Sequence, residues 1–490
     1  MTNIQSPASA YSRSNYKASA VLLAALAASG LASTASAQKL DNTTNLNAAG
    51  SWTGGTIPNS GTVAVFNSTL TTARIAALGA SATWGGIQVT NPGGVFTISS
   101  GNFLTLGASG IDMSSANNNF VINSGIITGA AQNWSINALR SLQLGTNSSV
   151  VETGGAISTS GAGTLDFRSG TAATISGVVG NTSVSVNGPT TALTLANSAN
   201  TFTNLAVASG KAVGSVITAS GVASSFGTDN DIALGGNGQS GVIEYTGNTA
   251  STNRNFTRDG RGSASGITVT TAGQTLTITG NTSSGNQINA LTNGWVFGGA
   301  GNITLNGQTN NSSGVGSTGT TVTKNGTGTL TFVGNNGYTG TTTVNGGTLA
   351  LGASERINVA SNLVMNSGTF ALGGFTETLG TLDVNGNSTI DLGSGGVAIF
   401  ANSSAVAWDG ASTLSIAGTF VSGSSIKFGI DATGLSGSQL AQIFIAGYDS
   451  LALNGSGFLT ASAIPEPSAF AALAGLGALG LVASRRRRAV

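Results

Sequence analysis

The 490-residue chain contains no cysteine and no histidine, and only 7% of its residues carry charge. Without thiols there is no disulfide framework and no thiolate nucleophile. Without imidazole the commonest general base near neutral pH is missing, along with the usual zinc and haem ligand sets. Proline is scarce, with six residues, and aromatics make up 6% of the chain. A collagen-like chain or a proline-rich linker is therefore excluded. Disorder calls for low hydrophobicity and high net charge, whereas here 40% of residues are hydrophobic and the net charge is +1. What fills the chain is glycine, 75 residues, roughly twice the share in ordinary proteins, together with Ser, Thr, Asn and aliphatics. That is a composition of short strands and tight turns.

The few charges are unevenly placed. Arg13, Lys17 and Arg485, Arg486, Arg487 and Arg488 lie at the ends, so residues 38–463 hold 11 basic against 15 acidic residues. Binding to a phosphate backbone needs clustered Lys and Arg, and nucleic acid is excluded as a partner on this ground. No Gly-Lys-Ser/Thr phosphate loop occurs, and a serine nucleophile would lack its histidine. No cofactor and no metal are expected.

Both ends read as addresses. Arg13 and Lys17 precede an apolar run over residues 18–32, and Ala35-Ser36-Ala37 supplies a small-residue cleavage site before Gln38. This is the pattern of a secretory signal peptide over residues 1–37, too short an apolar run to span a bilayer. At the other end, Pro465-Glu466-Pro467 precedes an apolar stretch over residues 469–483 and then Arg485 to Arg488. The prolines stop any strand ladder, and the arginines hold the terminus on the cytoplasmic side of a membrane. The triplet resembles the PEP-CTERM sorting signal of exported proteins in Gram-negative bacteria that make extracellular polysaccharide. The resemblance implies a hydrophobic anchor helix, transient tethering in the inner membrane, processing by an exosortase-like enzyme near Pro-Glu-Pro, and a final place at the cell surface or in the extracellular matrix.

Between the ends one phrase recurs: glycine, threonine, then alternating aliphatic and small residues. Gly328-Thr329-Leu330-Thr331-Phe332, Gly347-Thr348-Leu349-Ala350-Leu351 and Gly368-Thr369-Phe370-Ala371-Leu372 are clear copies. The period of two puts Leu330 with Phe332, and Leu349 with Leu351, on one face. Leu330, Leu349 and Phe370 head equivalent strands at nearly equal intervals. Their period, near twenty, signals a solenoid, in which each coil buries its apolar face only by stacking on the next. Asn and Thr are expected to form ladders between coils. After Phe370 the register is expected to drift, since Leu382 and Leu414 do not keep the period. Trp52-Thr53-Gly54-Gly55 and the strand around Val63 to Phe66 read as a first, capping coil. Residues 385–463 read as distal β coils and cap, with a short helix over residues 438–443.

The stretch from Lys324 through Gly334, followed by Tyr338-Thr339-Gly340 and Val344-Asn345-Gly346-Gly347-Thr348-Leu349, resembles the autotransporter-associated β-strand repeat. That resemblance implies an all-β fold, a right-handed parallel β-helix, over residues 38–384. The sorting and anchor segment then occupies residues 464–490. No run of ten-residue amphipathic strands suits a membrane barrel, so self-export is not carried over.

For chemistry on such a scaffold the acids matter. Asp112, Glu152, Asp166, Glu244, Glu377, Asp383 and Asp391 are scattered, and Asp229 with Asp231 frames Asn230 in what reads as a turn. Polysaccharide cleavage would want two carboxylates at a fixed separation. Arg254, Arg258, Asp259 and Arg261 form the densest internal charge cluster, and are expected to be a solvated loop with one weak ion pair. The reading that follows is a non-enzymatic structural or adhesive protein, its faces contacting polysaccharide or other surface proteins. The alternative is a polysaccharide-active β-helix enzyme, a lyase or hydrolase.

Overall fold

The computed structural model describes residues 35–145, 149–168, 170–236, 238–258, 264–284, 293–310 and 319–464, with residues 475–476, 478–479 and 481 near the C-terminus. The leader up to residue 34, and Pro465, Glu466, Pro467 and Arg485 to Arg488, lie outside the described residues. Short strands stack coil on coil into a parallel β-solenoid of about fifteen turns. Every strand-to-strand pairing among the described residues is parallel except the terminal hairpin of Tyr448–Leu453 with Leu459–Ala463. Parallel order follows from the repeat. Each coil returns the chain to its starting azimuth one strand spacing further along, register partners lying 19 (Leu330 to Leu349) to 29 (Ile416 to Ile445) residues apart in the column.

The interior is an aliphatic column. Leu276, Ile303, Leu330, Leu349, Phe370, Ile390, Ile416 and Ile445 are consecutive register partners, all buried. The intervals between them are unequal, shortest from Leu330 to Leu349 and longest from Ile416 to Ile445. The sheet thus keeps its register while the loops between strands vary in length. After Phe370 the spacing does lengthen, and Leu414 lies off the twenty-residue period, yet the hydrogen-bonded register of the sheet holds. Leu382 belongs to a different face, paired with Leu363, and the column continues through Ile390 in Ser388–Asp391. The phrase is disguised there because Ser-Thr-Ile replaces Gly-Thr-Leu.

Corners are closed by polar ladders, as the composition predicts. Asn345 donates to Asn325 at 2.8 Å, and Asn366 donates to Asn345 at 2.7 Å, each one coil from the last. Inside, Tyr338, Thr342 and Ser361 link their hydroxyls at 2.7 and 2.8 Å. A glycine corner accompanies them: Gly347 and Gly368 both take positive φ, a conformation that side chains other than glycine rarely adopt.

The two ends of the stack differ. At the first coils an aromatic cluster of Trp52, Phe66, Trp84, Phe96 and Phe120 fills the core, and the Trp52 indole donates to the Leu46 carbonyl. At the far end the helix Gly437–Ala441 starts one residue before the expected one. Ser436 and Gln439 form its capping box, satisfying two otherwise orphaned N–H groups. The hairpin then closes the last coil, with Phe428 N–H donating to the Gly457 carbonyl. No helix among the described residues is long and apolar enough to cross a membrane.

Candidate functional site

The proposed cleavage residues are part of the fold. Ala35–Gln38 is the first strand, paired in parallel with Thr62 to Val65. Ala37 is buried and Gln38 donates to the Asn67 side chain at 3.2 Å. Cleavage after Ala37 removes all of that strand except Gln38, which stays opposite Val65. A peptidase reaches this bond only while the segment is unpaired.

The acidic residues are not brought together. Asp112 lies opposite Gln88 and Ser135, Asp166 opposite Gln143 and Ser185, and Glu244 opposite Val213 and Thr268. Glu152 accepts from the Ile157 and Ser176 N–H groups, and Asp391 from the N–H of Gly393, so both stitch loops. Asp229 accepts from the Asp231 N–H, and Asp231 accepts from Asn255, one coil on. Asp229 and Asn230 lie before the strand, but Asp231 opens the strand Asp231–Leu234 opposite Asn255 and is not the turn residue its sequence suggests. No group of three potential metal-binding side chains occurs among the described residues.

The arginine cluster is where the sequence reading fails. Arg254 is fully buried rather than solvated. Its guanidinium donates to the carbonyls of Thr218, Ala219, Val222, Phe226 and Gly227 and to the Ser224 hydroxyl, at 2.7 to 3.4 Å. Burial lowers its pKa, with Asp229 opposing the shift. The loop over residues 215–229 is thus wound around one cation. Arg258 is buried as well, while Asp259 and Arg261 lie outside the described residues. The missed signal is the alternation itself: Arg254, Phe256 and Arg258 share a strand phase, and Phe256 faces the core.

Two lysines act in the same way. Lys324 points inward and donates to the carbonyls of Asn325, Gly326 and Gly346, burial pushing its pKa down to about 8. Lys39 donates to Leu40 and Asn42 in the first coil, and burial again brings it to about 8 despite the opposing charge of Asp41. Solenoid corners turn backbone carbonyls away from the sheet ladders, and a rare cation collects them.

Glu377 is the mirror case. Its fully buried carboxyl accepts from the N–H groups of Arg356 and Ile357, both at 2.8 Å. Burial raises its pKa from 4.5 to about 7; the two N–H bonds and Arg356 oppose this, and Glu355 adds to it. A carboxyl with a raised folded-state pKa gives stability that is complete below about pH 4.5. That stability is lost as pH rises through about 7. Asp41 and Asp431 have lowered values, so they act below the ordinary carboxylate range and do not interfere. Unfolding midpoints in urea are expected to fall between pH 5 and 7.5, by on the order of 3 kcal/mol from this group. Glu377→Gln should flatten that slope; an unchanged slope in the variant would assign it elsewhere.

The outer surface offers shallow hollows whose walls mix apolar and polar side chains. One of about 630 Å³ is lined by Ser149, Val151, Glu152, Thr174, Ser176 and Thr194. Its neighbour, about 360 Å³, includes Pro189, Thr190, Lys211 and Ser240, and Lys211 pairs with Glu244 at 2.8 Å. On another face Ser251, Thr277, Thr304 and Thr331 stand in register on four successive coils, a hydroxyl row at strand spacing, roughly 4.8 Å.

Two family models match the chain. The passenger-associated transport repeat covers residues 322–351, the segment that Lys324, Asn325, Tyr338 and Asn345 stitch together. The PEP-CTERM protein-sorting motif covers residues 463–488. No curated protein and no solved structure is significantly similar to the chain. The fold defines a parallel β-solenoid, and the two matches point to an exported surface protein. More particularly, this chain carries a passenger-associated transport repeat in its stack and, at its C-terminal end, a PEP-CTERM signal of the kind an exosortase recognises.

Proposed function

We propose that the protein is a non-enzymatic rod with a structural or adhesive role in the extracellular matrix of a Gram-negative bacterium. It is tethered transiently in the inner membrane through residues 469–483, processed near Pro465-Glu466-Pro467 by an exosortase-type enzyme, and then associates with extracellular polysaccharide or other surface proteins. The observation that carries this reading is the sorting motif placed on a parallel stack whose outer rows hold hydroxyls in register. A repeating row of donors and acceptors suits a repeating polymer. It gives many weak contacts whose avidity grows with length.

One experiment tests both halves. Protein recovered from outside the producing cell is analysed by mass spectrometry, then mixed with the cell's acidic polysaccharide. Expected are an N-terminus near Gln38, loss of Arg485 to Arg488, co-sedimentation with the polymer, and no change in polymer length. An intact C-terminus on surface protein would overturn the processing. Shortening of the polymer would favour a lyase or hydrolase instead.

A further inference from the structure

We propose that the distal end of the solenoid is a membrane-resting face, seated at the headgroup boundary of a bilayer while the protein is tethered. This rests on the tethering just proposed. Four large apolar side chains are solvent-exposed around the terminal hairpin: Ile430 (83%), Phe444 (58%), Val421 (51%) and Ile464 (51%). Each is tied to that hairpin by its neighbours. Ser422, next to Val421, donates to the Ala461 carbonyl and accepts from the Ala461 N–H. Gly423 N–H donates to the Leu459 carbonyl. Phe428, two residues before Ile430, bonds to Gly457, and Ile464 N–H donates to the carbonyl of Gly447, three residues after Phe444. Phe444 lies in the strand Ile443–Ile445, which pairs on one side only among the described strands.

Chain length says what covers this end. The apolar run begins at residue 469, five residues after Ile464, and five extended residues reach at most about 18 Å. Once that run is in a bilayer, Ile464 is held within that distance of the lipid surface, and the hairpin bonded to it through Gly447 is carried close to the bilayer. Exposed apolar side chains at such a place gain by entering the interface. The charges at this end are Lys427, stacked over Phe458 at 5.3 Å, with Asp409, Asp431 and Asp449. They form no basic patch, so the attraction is apolar.

Absence of native cysteine makes the test clean. Full-length Ile430→Cys, Phe444→Cys, Leu139→Cys and Leu476→Cys proteins are each labelled with an environment-sensitive fluorophore. They are then reconstituted into vesicles of phosphatidylethanolamine and phosphatidylglycerol. Leu139 is an exposed residue far from the hairpin in the stack, and Leu476 reports the anchor. Labels at 430, 444 and 476 are expected to brighten several-fold and to be quenched by doxyl lipids, while the label at 139 does neither. Quenching at 476 with none at 430 and 444 overturns the resting face and leaves the tether intact. No quenching at 476 overturns the tether and the face with it. Brightening at 444 that grows with protein concentration in the absence of vesicles assigns this end to a second copy instead, which also overturns the proposal.

Discussion

Leu349→Asp is expected to destabilise the stack by several kcal/mol, on the order of 4, while Thr348→Asp changes it by less than about 1. Leu349 is fully buried between its register partners Leu330 and Phe370, whereas Thr348 lies on the outer face between Thr329 and Thr369. An aspartate in the column must either carry an unpaired charge in an apolar layer or hold a proton well above its usual pKa. Both routes cost free energy, and neither is open to repair, because adjacent coils are fixed by ladders such as Asn325 to Asn345 to Asn366. Coil stability passes through nearest-neighbour interfaces. Hydrogen exchange should therefore lose protection first over residues 328–373 and last near the aromatic coils around Phe66 and Phe96. Equal tolerance of aspartate at 348 and 349 would mean that the column does not carry the stability.

Arg254→Met should also destabilise the chain, by less and for a different reason. Methionine fills much of the volume but donates nothing, so five carbonyls and the Ser224 hydroxyl lose their shared partner. The Thr218, Ala219, Val222 and Gly227 carbonyls keep a second donor each, so the Phe226 carbonyl, with no second donor among the described residues, is the acceptor left stranded. A net loss of roughly 1 to 3 kcal/mol is expected, the typical cost of one such group. Limited proteolysis gives the local readout: cleavage within residues 215–229 should appear in the variant under conditions that leave the native chain intact. Arg254→Lys should fall between the two, since an ammonium has three donors and no planar fork. Unchanged proteolysis in Arg254→Met would show that the loop holds itself.

The contrast between these two positions shows how far a one-dimensional pattern reaches. Around Leu349 every local signal agrees: glycine before the strand, β-branched and aliphatic alternation, and a copy of the phrase one coil earlier at Leu330. Around Arg254 the charge outweighed the alternation and pointed to solvent, although Phe256 two residues on faces the core. Likewise Ile390 continues the column without the glycine-threonine phrase that marks its neighbours, because a register is kept by hydrogen bonds between coils and tolerates any residue that fills the layer.

Composition and periodicity by themselves determined the all-β solenoid, its inward and outward phases and its corner residues, and a short motif marked the C-terminal sorting segment, because each depends on spacings of a few residues along the chain. Only the tertiary structure decided which rare charges are interior, that Glu377 is held against the N–H groups of Arg356 and Ile357 one loop away, and that the apolar side chains at 421, 430, 444 and 464 stay exposed in the last coils. Those outcomes depend on where loops of unequal length, short between Leu330 and Leu349 and long between Ile416 and Ile445, set down backbone carbonyls and N–H groups far apart in sequence. A buried charge is tolerable only where such groups converge on it, and no local pattern in the chain records that convergence.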